Sequence, residues 1–191
     1  MAQIFGEFIE PKEESGEYLK ISFHPASAPL QQRWRNNGLS ADFLADYLST
    51  FFPGDDPSST EHQAEIKDAI SYIANELLEN AMKFSYAASR PTVSIEMILE
   101  PEIISLYASN SLDPSTIKPF QDFIQRMLSE DTNVLYLEQL ESNADDNGDD
   151  SSGLGFLTIV NDYGADLAWK FTDGAQEGDD VAVTTLVKLP V

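Results

Sequence analysis

Residues 66–88 read IKDAISYIANELLENAMKFSYAA. Apolar residues fall at Ile66, Ile70, Ile73, Leu77, Ala81 and Phe84, in steps of three and four, which is one face of an amphipathic helix. No proline or glycine interrupts the run. Beside that stripe sit Glu76, Asn80 and Lys83, spaced i, i+4 and i+7, so the three align on one side of the helix. Asparagine is a poor residue for a helix interior, and Asn80 therefore asks for a reason. Spacing alone leaves two open. It is either a solvated or core-satisfied amide, or part of an acid–amide–amine row at the edge of a buried face, able to meet a metal-bound phosphate.

Upstream, Thr60 is a fair N-cap for this helix after the loop Pro53 to Thr60. Ser40 is placed to cap an earlier helix, ADFLADYLSTFF, with Phe43, Leu44, Tyr47, Leu48 and Phe51 packing inward. Leu30 to Asn36 reads as a short helix stopped by Asn37-Gly38. Ala2 to Glu10 and Glu17 to His24 read as strands joined by a turn at Lys12 to Gly16, hence a hairpin.

Downstream, Pro91 opens TVSIEMIL, and Pro101-Glu102 makes a corner before IISLYASN. Their β-branched content and the short corner predict two adjacent antiparallel strands. Pro114 to Leu128 and Asn133 to Leu140 read as helices. Glu141 to Ser152, ESNADDNGDDSS, is too polar to pack and is expected to be mobile. Gly153 to Tyr163 returns to helical spacing, and Gly164 stands where a helix end favours a left-handed residue. Asp166 to Thr172 and Val181 to Leu189 close the chain as two strands. This order predicts a single α+β domain over residues 1–191. It is a two-layer sandwich with a mixed, mostly antiparallel sheet and helices on one face. Residues 1–59, the hairpin and first helices, would extend the sheet.

Composition narrows the function. The 191 residues carry 33 acidic and 11 basic side chains, a net charge of −22. Such a chain repels nucleic acid and anionic lipid. There is no cysteine, which rules out disulfides, thiol catalysis and zinc thiolate sites and suits a reducing cytoplasm. The first residues, MAQIFGEFIEPKEE, have neither a basic region nor an apolar run, so no signal peptide is expected. No stretch approaches the ~18 apolar residues of a membrane span. His24 and His62 lie far apart without metal spacing.

A second chemical candidate is Ser151-Ser152-Gly153-Leu154-Gly155, just before a helix. Glycines let a backbone approach a ligand closely, and free N–H groups at a helix start attract phosphate. The same letters also serve as a plain loop and N-cap.

Taken together, NELLENAMKFS, a strand pair, a long helical and acidic insert, SSGLG and a last strand pair ending VTTLVKLPV resemble a known nucleotide-binding fold. It is shared by sensor histidine kinases, gyrase, the Hsp90 chaperone and anti-sigma-factor serine kinases (the GHKL group). The resemblance spans residues 60–191 and is nearest to small stand-alone bacterial regulators related to anti-sigma-factor kinases. It implies a histidine-kinase-type ATPase fold binding ATP or ADP with magnesium. Asn80 would hold the metal through its amide oxygen. Glu76 would orient or deprotonate the attacking hydroxyl or water, and Lys83 would neutralise phosphate charge. Gly153, Leu154 and Gly155 would offer N–H groups to phosphates. Residues 111–152 would be a mobile lid, and Thr184 or Thr185 would sit near the base.

The family's Asp-x-Gly is missing; its place reads Leu106 to Asp113, where Asn110 is the residue able to meet an adenine amino group. The resemblance therefore implies a cytoplasmic signalling regulator, either an ATP-dependent protein serine/threonine kinase or a non-catalytic binding module with an eroded pocket. A pocket turned to another ligand, such as a flavin nucleotide beside Tyr107, Tyr136 or Trp169, is the third alternative. The expected partner is a STAS-like antagonist or a response regulator, with a homodimer as a further expectation.

Overall fold

The computed structural model describes residues 2–11, 17–24, 30–52, 57–85, 92–145, 153–172 and 181–191, with backbone only for 30–34 and 143–145. The strands are β1 (Ala2–Phe5), β2 (Glu17–Phe23), β3 (Val93–Leu99), β4 (Ile103–Ser111), β5 (Asp166–Thr172) and β6 (Ala182–Pro190). The helices are α1 (Leu30–Ser49), α2 (Pro57–Lys83), α3 (Pro114–Ser129), α4 (Thr132–Asp145) and α5 (Leu154–Tyr163). The strands form one sheet in the order β1-β5-β6-β4-β3-β2. Every neighbouring pair is antiparallel, with helices on one face, as the predicted two-layer α+β sandwich requires.

α2 is the spine of the helical layer. Ile66, Ile70, Ile73, Leu77 and Leu78 are buried along it. At about 2 kcal/mol per large aliphatic side chain, their burial contributes on the order of 10 kcal/mol as an upper figure. That outweighs the modest propensity cost of Asn75 and Asn80. α2 begins at Pro57, before the expected cap at Thr60. Proline fits a first turn because its missing N–H has no helical partner there.

Three expectations for the N-terminal region are overturned. β1 and β2 are not a hairpin: β1 pairs with β5 at one edge of the sheet and β2 with β3 at the other. Gly6, at φ 73°, ends β1, and a Cβ there would lie 2.8 Å from the Leu167 carbonyl oxygen. Beyond it, Phe8 packs on the outer sheet face against Ile98, Tyr107, Ala168 and Leu186. The expected turn, 12–16, lies outside the described residues.

Asn37-Gly38 does not stop a helix either. α1 runs straight through, and Ser40 donates to the Asn36 carbonyl (2.8 Å) instead of capping. A Cβ at Gly38 would meet nothing within 4 Å, so this glycine is not required by packing. Nor do Phe43 and Phe51 pack inward. Ala41, Leu44, Ala45 and Leu48 are the buried side of α1, while Phe43 is 53% and Phe51 41% exposed.

The C-terminal half follows the expected order. β3–β4 and β5–β6 are antiparallel neighbours, and Gly164 ends α5 at φ 62°. α4 continues to Asp145, so the first part of the acidic run is helical; residues 146–152 lie outside the description.

Candidate functional site

The Glu76 side of α2 and the glycine corner meet in space. A Cβ built on Gly155 would fall 2.0 Å from Glu76 Oε2, so only glycine fits here while the carboxylate keeps its place. One turn away along the chain, Tyr72 stacks on Tyr163 with ring centroids 5.3 Å apart, tying α2 to the far end of α5. Burial raises the Glu76 pKa above the ordinary carboxylate value, and the charge of Glu79 adds to the rise. Glu79 is itself held by the Asn75 amide at 2.8 Å.

Asn80 and Gly153 line one cavity of about 310 Å³ between α2, α3 and the start of α5. Four phenylalanines, Phe84, Phe120, Phe123 and Phe156, dominate the wall, and among the described residues no ionisable side chain is part of it. α3 is aimed there by its N-terminus. Asp113 accepts from Ser115 N (2.8 Å) and Ser115 Oγ (2.6 Å), which caps the helix and holds the Asp113 carboxyl below its usual range. Gly153 is left-handed (φ 97°), and a Cβ on it would sit 2.8 Å from the Phe123 ring. Both glycines therefore allow a close approach, one to a carboxylate and one to an aromatic wall.

A smaller pocket of about 20 Å³ adjoins this cavity, sharing Asn80, Phe84, Leu112, Phe120 and Phe156. Asn110 and Thr185 line it as well. Asn110 is buried, with its Nδ2 donating to the Ser111 carbonyl at 3.0 Å.

The structure thus groups Asn80, Asn110, Gly153 and Thr185 around connected space, with Glu76 and Gly155 in contact beside it. Thr184 is elsewhere. It pairs opposite Ser109, and the two hydroxyls are 2.8 Å apart on the outer face of the sheet. Successive strand residues point to opposite faces, so only Thr185 looks into the helical layer. Lys83 is exposed at the last turn of α2, its ammonium 5.5 Å from the Phe84 ring centroid, and lines neither cavity. Leu154 opens α5 and is half-buried, but lines neither.

The segment expected as a lid contains α3 and α4 and walls the cavity through Phe120, Phe123 and Gln139. Phe120 also touches Phe156, Trp169 and Phe171. In the sequence, Phe120, Phe123 and Phe156 carry no mark beyond being apolar residues of helical segments. Phe120 and Phe123 stand i, i+3 apart just after Pro119, on the helix that faces the glycine corner.

Among the described residues no three His, Asp or Glu side chains are grouped to hold a metal. A magnesium ion would thus fit here only if carried in on phosphates, with the Asn80 oxygen as its protein ligand. Among the described residues no helix is long and apolar enough to cross a membrane.

No protein-family model matches the sequence, and no curated protein does. Among solved structures, the chain is similar to one in the crystal structure of the SiaB–SiaC complex from Pseudomonas aeruginosa. The TM-score is 0.56 at 15% identity, covering 91% of this chain and 89% of that one. The likeness extends over nearly the whole chain, so the N-terminal region belongs to the shared fold. At this identity it is a likeness of fold.

Proposed function

We propose that this chain is a signalling regulator that acts through a protein partner and takes an adenine nucleotide with magnesium between α2 and α5. The observation that carries the reading is the meeting of Asn80 with Gly153 on one cavity wall, and of Glu76 with Gly155 beside it. The base would lie toward Asn110 and Thr185, among the phenylalanines, and the phosphates toward Asn80 and the first N–H groups of α5.

In a transfer step, Glu76 would accept the proton of a partner serine or threonine hydroxyl as its oxygen bonds to the γ-phosphorus and the bond to ADP breaks. Its raised pKa makes it a stronger base than an ordinary carboxylate. The partner would be a STAS-like antagonist or a response regulator. The SiaB–SiaC neighbour, a complex of two proteins, supports a protein partner.

Calorimetry with ATP, with and without magnesium, tests the reading. Binding should strengthen with magnesium, and Asn80→Ala should remove that dependence. No binding under either condition leaves the non-catalytic binding module. The four phenylalanines of the wall favour a second reading, a flat ring ligand such as a flavin nucleotide. A visible spectrum of the purified protein with no blue absorption removes it.

A further inference from the structure

We propose that Tyr72 and Tyr163 are positioning residues, whose stack sets the tilt of α5 that brings the glycine corner against Glu76 and toward Asn80. Along α2, the neighbours contributed by α5 come in reverse order. Asp68 lies near Tyr163, Tyr72 near Tyr163 and Thr158, and Glu76 against Gly155, while Asn80 shares its cavity with Gly153. The two helices therefore run antiparallel, and Gly155, Thr158 and Asp162 lie on the stripe of α5 that faces α2.

The two ends of this contact differ in thickness. At one end two rings stand between the helices, their centroids 5.3 Å apart and their planes 28° from parallel. At the other end, about 12 Å back along α5, glycine leaves no side chain between the α5 backbone and the Glu76 carboxylate. A thick spacer at one end and none at the other tip the N-terminus of α5 toward α2. Paired tyrosine rings make a stiff spacer, because each has few rotatable bonds and an offset stack is favoured. The remaining holds on α5 come from other sides. Phe156, Leu157 and Ile159 are buried, and Asn161 Oδ1 accepts from the Thr132 hydroxyl at the start of α4 at 2.5 Å.

The spacer does not titrate together with the carboxylate it places. Burial raises the pKa of both phenols, with the nearby Thr158 hydroxyl offsetting part of the rise at Tyr72. Carboxylates add to it, Glu76 and Asp162 at Tyr72, Asp162 and Asp68 at Tyr163. Both rings thus stay neutral while Glu76 ionises, and the stack persists through that change.

The test reads the contact first without nucleotide and then with it, in the full chain. The Gly155 amide signal in nitrogen–proton NMR spectra should move as Glu76 titrates, and Glu76→Gln should flatten that movement. Glu79, the other carboxylate acting on Glu76, is kept throughout. Tyr163→Phe retains a ring and should follow the native curve. Tyr163→Leu removes the spacer and should lose most of the movement. Leucine there leaves Phe156, Leu157 and Ile159 in the core, so the fold should survive; Tyr163→Met, also without a ring, repeats the comparison if it does not. A Gly155 signal indifferent to Glu76 in the native chain overturns the proposal. So does one that follows Glu76 equally with and without the ring. The consequence for a ligand rests on the nucleotide function proposed above. Tyr163→Leu should weaken magnesium–ATP binding in calorimetry by about tenfold or more, and Tyr163→Phe should leave it unchanged. Equal binding by both variants overturns the positioning role in the site. If no variant binds ATP while the Gly155 signals behave as expected, the nucleotide function fails and the tyrosine spacer stands.

Discussion

Replacing Gly155 by alanine in two backgrounds, the native chain and Glu76→Ala, measures the central contact directly. The added Cβ would lie 2.0 Å from Glu76 Oε2 and 2.9 Å from its Cδ, where ordinary contact needs about 3.5 Å. The carboxylate must retreat by on the order of 1.5 Å, which forces the side chain off its rotamer at about 1 kcal/mol. Alanine in a helix gains about 0.5–1 kcal/mol over glycine. Gly155→Ala alone should therefore be close to neutral. With Glu76→Ala already in place the overlap is gone, and the same change should stabilise by about 0.5–1 kcal/mol. Urea unfolding of the four proteins at neutral pH closes the cycle, and the coupling should be about 1 kcal/mol. Equal effects in both backgrounds, within about 0.3 kcal/mol, would refute the contact and with it the shared site.

Glu76→Gln should stabilise the fold at neutral pH. The folded pKa lies above the ordinary 4.5, so ionisation costs stability as pH rises from 4.5 through the raised value, and the gain should vanish on acidification toward 4.5. A gain that grows on acidification would reverse the sign of the argument. Gly6→Ala should destabilise by about 2 kcal/mol in urea, from its φ of 73° and the 2.8 Å approach to the Leu167 carbonyl. Thr184→Val should cost about 1 kcal/mol of stability through the lost Ser109 hydrogen bond and leave ATP binding unchanged. Thr185→Val should weaken that binding; equal titrations for both variants would detach β6 from the cavity.

Regular periodicity made much of the fold legible. α2 announced itself through Ile66, Ile70, Ile73 and Leu77, all of which are buried. β3–β4 was legible because Pro101 left only a corner between two β-rich runs. The N-terminal hairpin was misread because adjacency in sequence is only a default. β1 instead pairs with β5, where Gly6 comes close to Leu167, and such long-range contacts are not written in local sequence. Helix α1 misled for another reason. Phe43 and Phe51 are large and apolar, but the buried arc is set by Ala41, Leu44, Ala45 and Leu48, where small residues let α1 approach α2. At the site, Glu76, Asn80 and the glycines were legible as residue types. The aromatic wall was not, since phenylalanine on a helix reads the same whether it fills a core or borders a cavity.

The site's polarity argues for an order of recognition. The small pocket offers an amide and a hydroxyl, Asn110 and Thr185, and the larger cavity offers four phenylalanine rings with the uncharged polar groups of Ser115, Thr116 and Gln139. Among the described residues, no charged side chain lines that space. Its rim is different: Glu76 and Glu79 stand one turn or less from Asn80, and Lys83 is the nearest cation along α2. Within a Debye length of about 10 Å at 0.1 M salt, those carboxylates oppose a bare polyphosphate. Magnesium would then act first as a charge partner for the phosphates and only second as a ligand of Asn80. A nucleoside, lacking phosphates, would escape the repulsion altogether. If the proposed nucleotide binds, its ring would supply the affinity and the metal would decide whether phosphates are accepted at the rim.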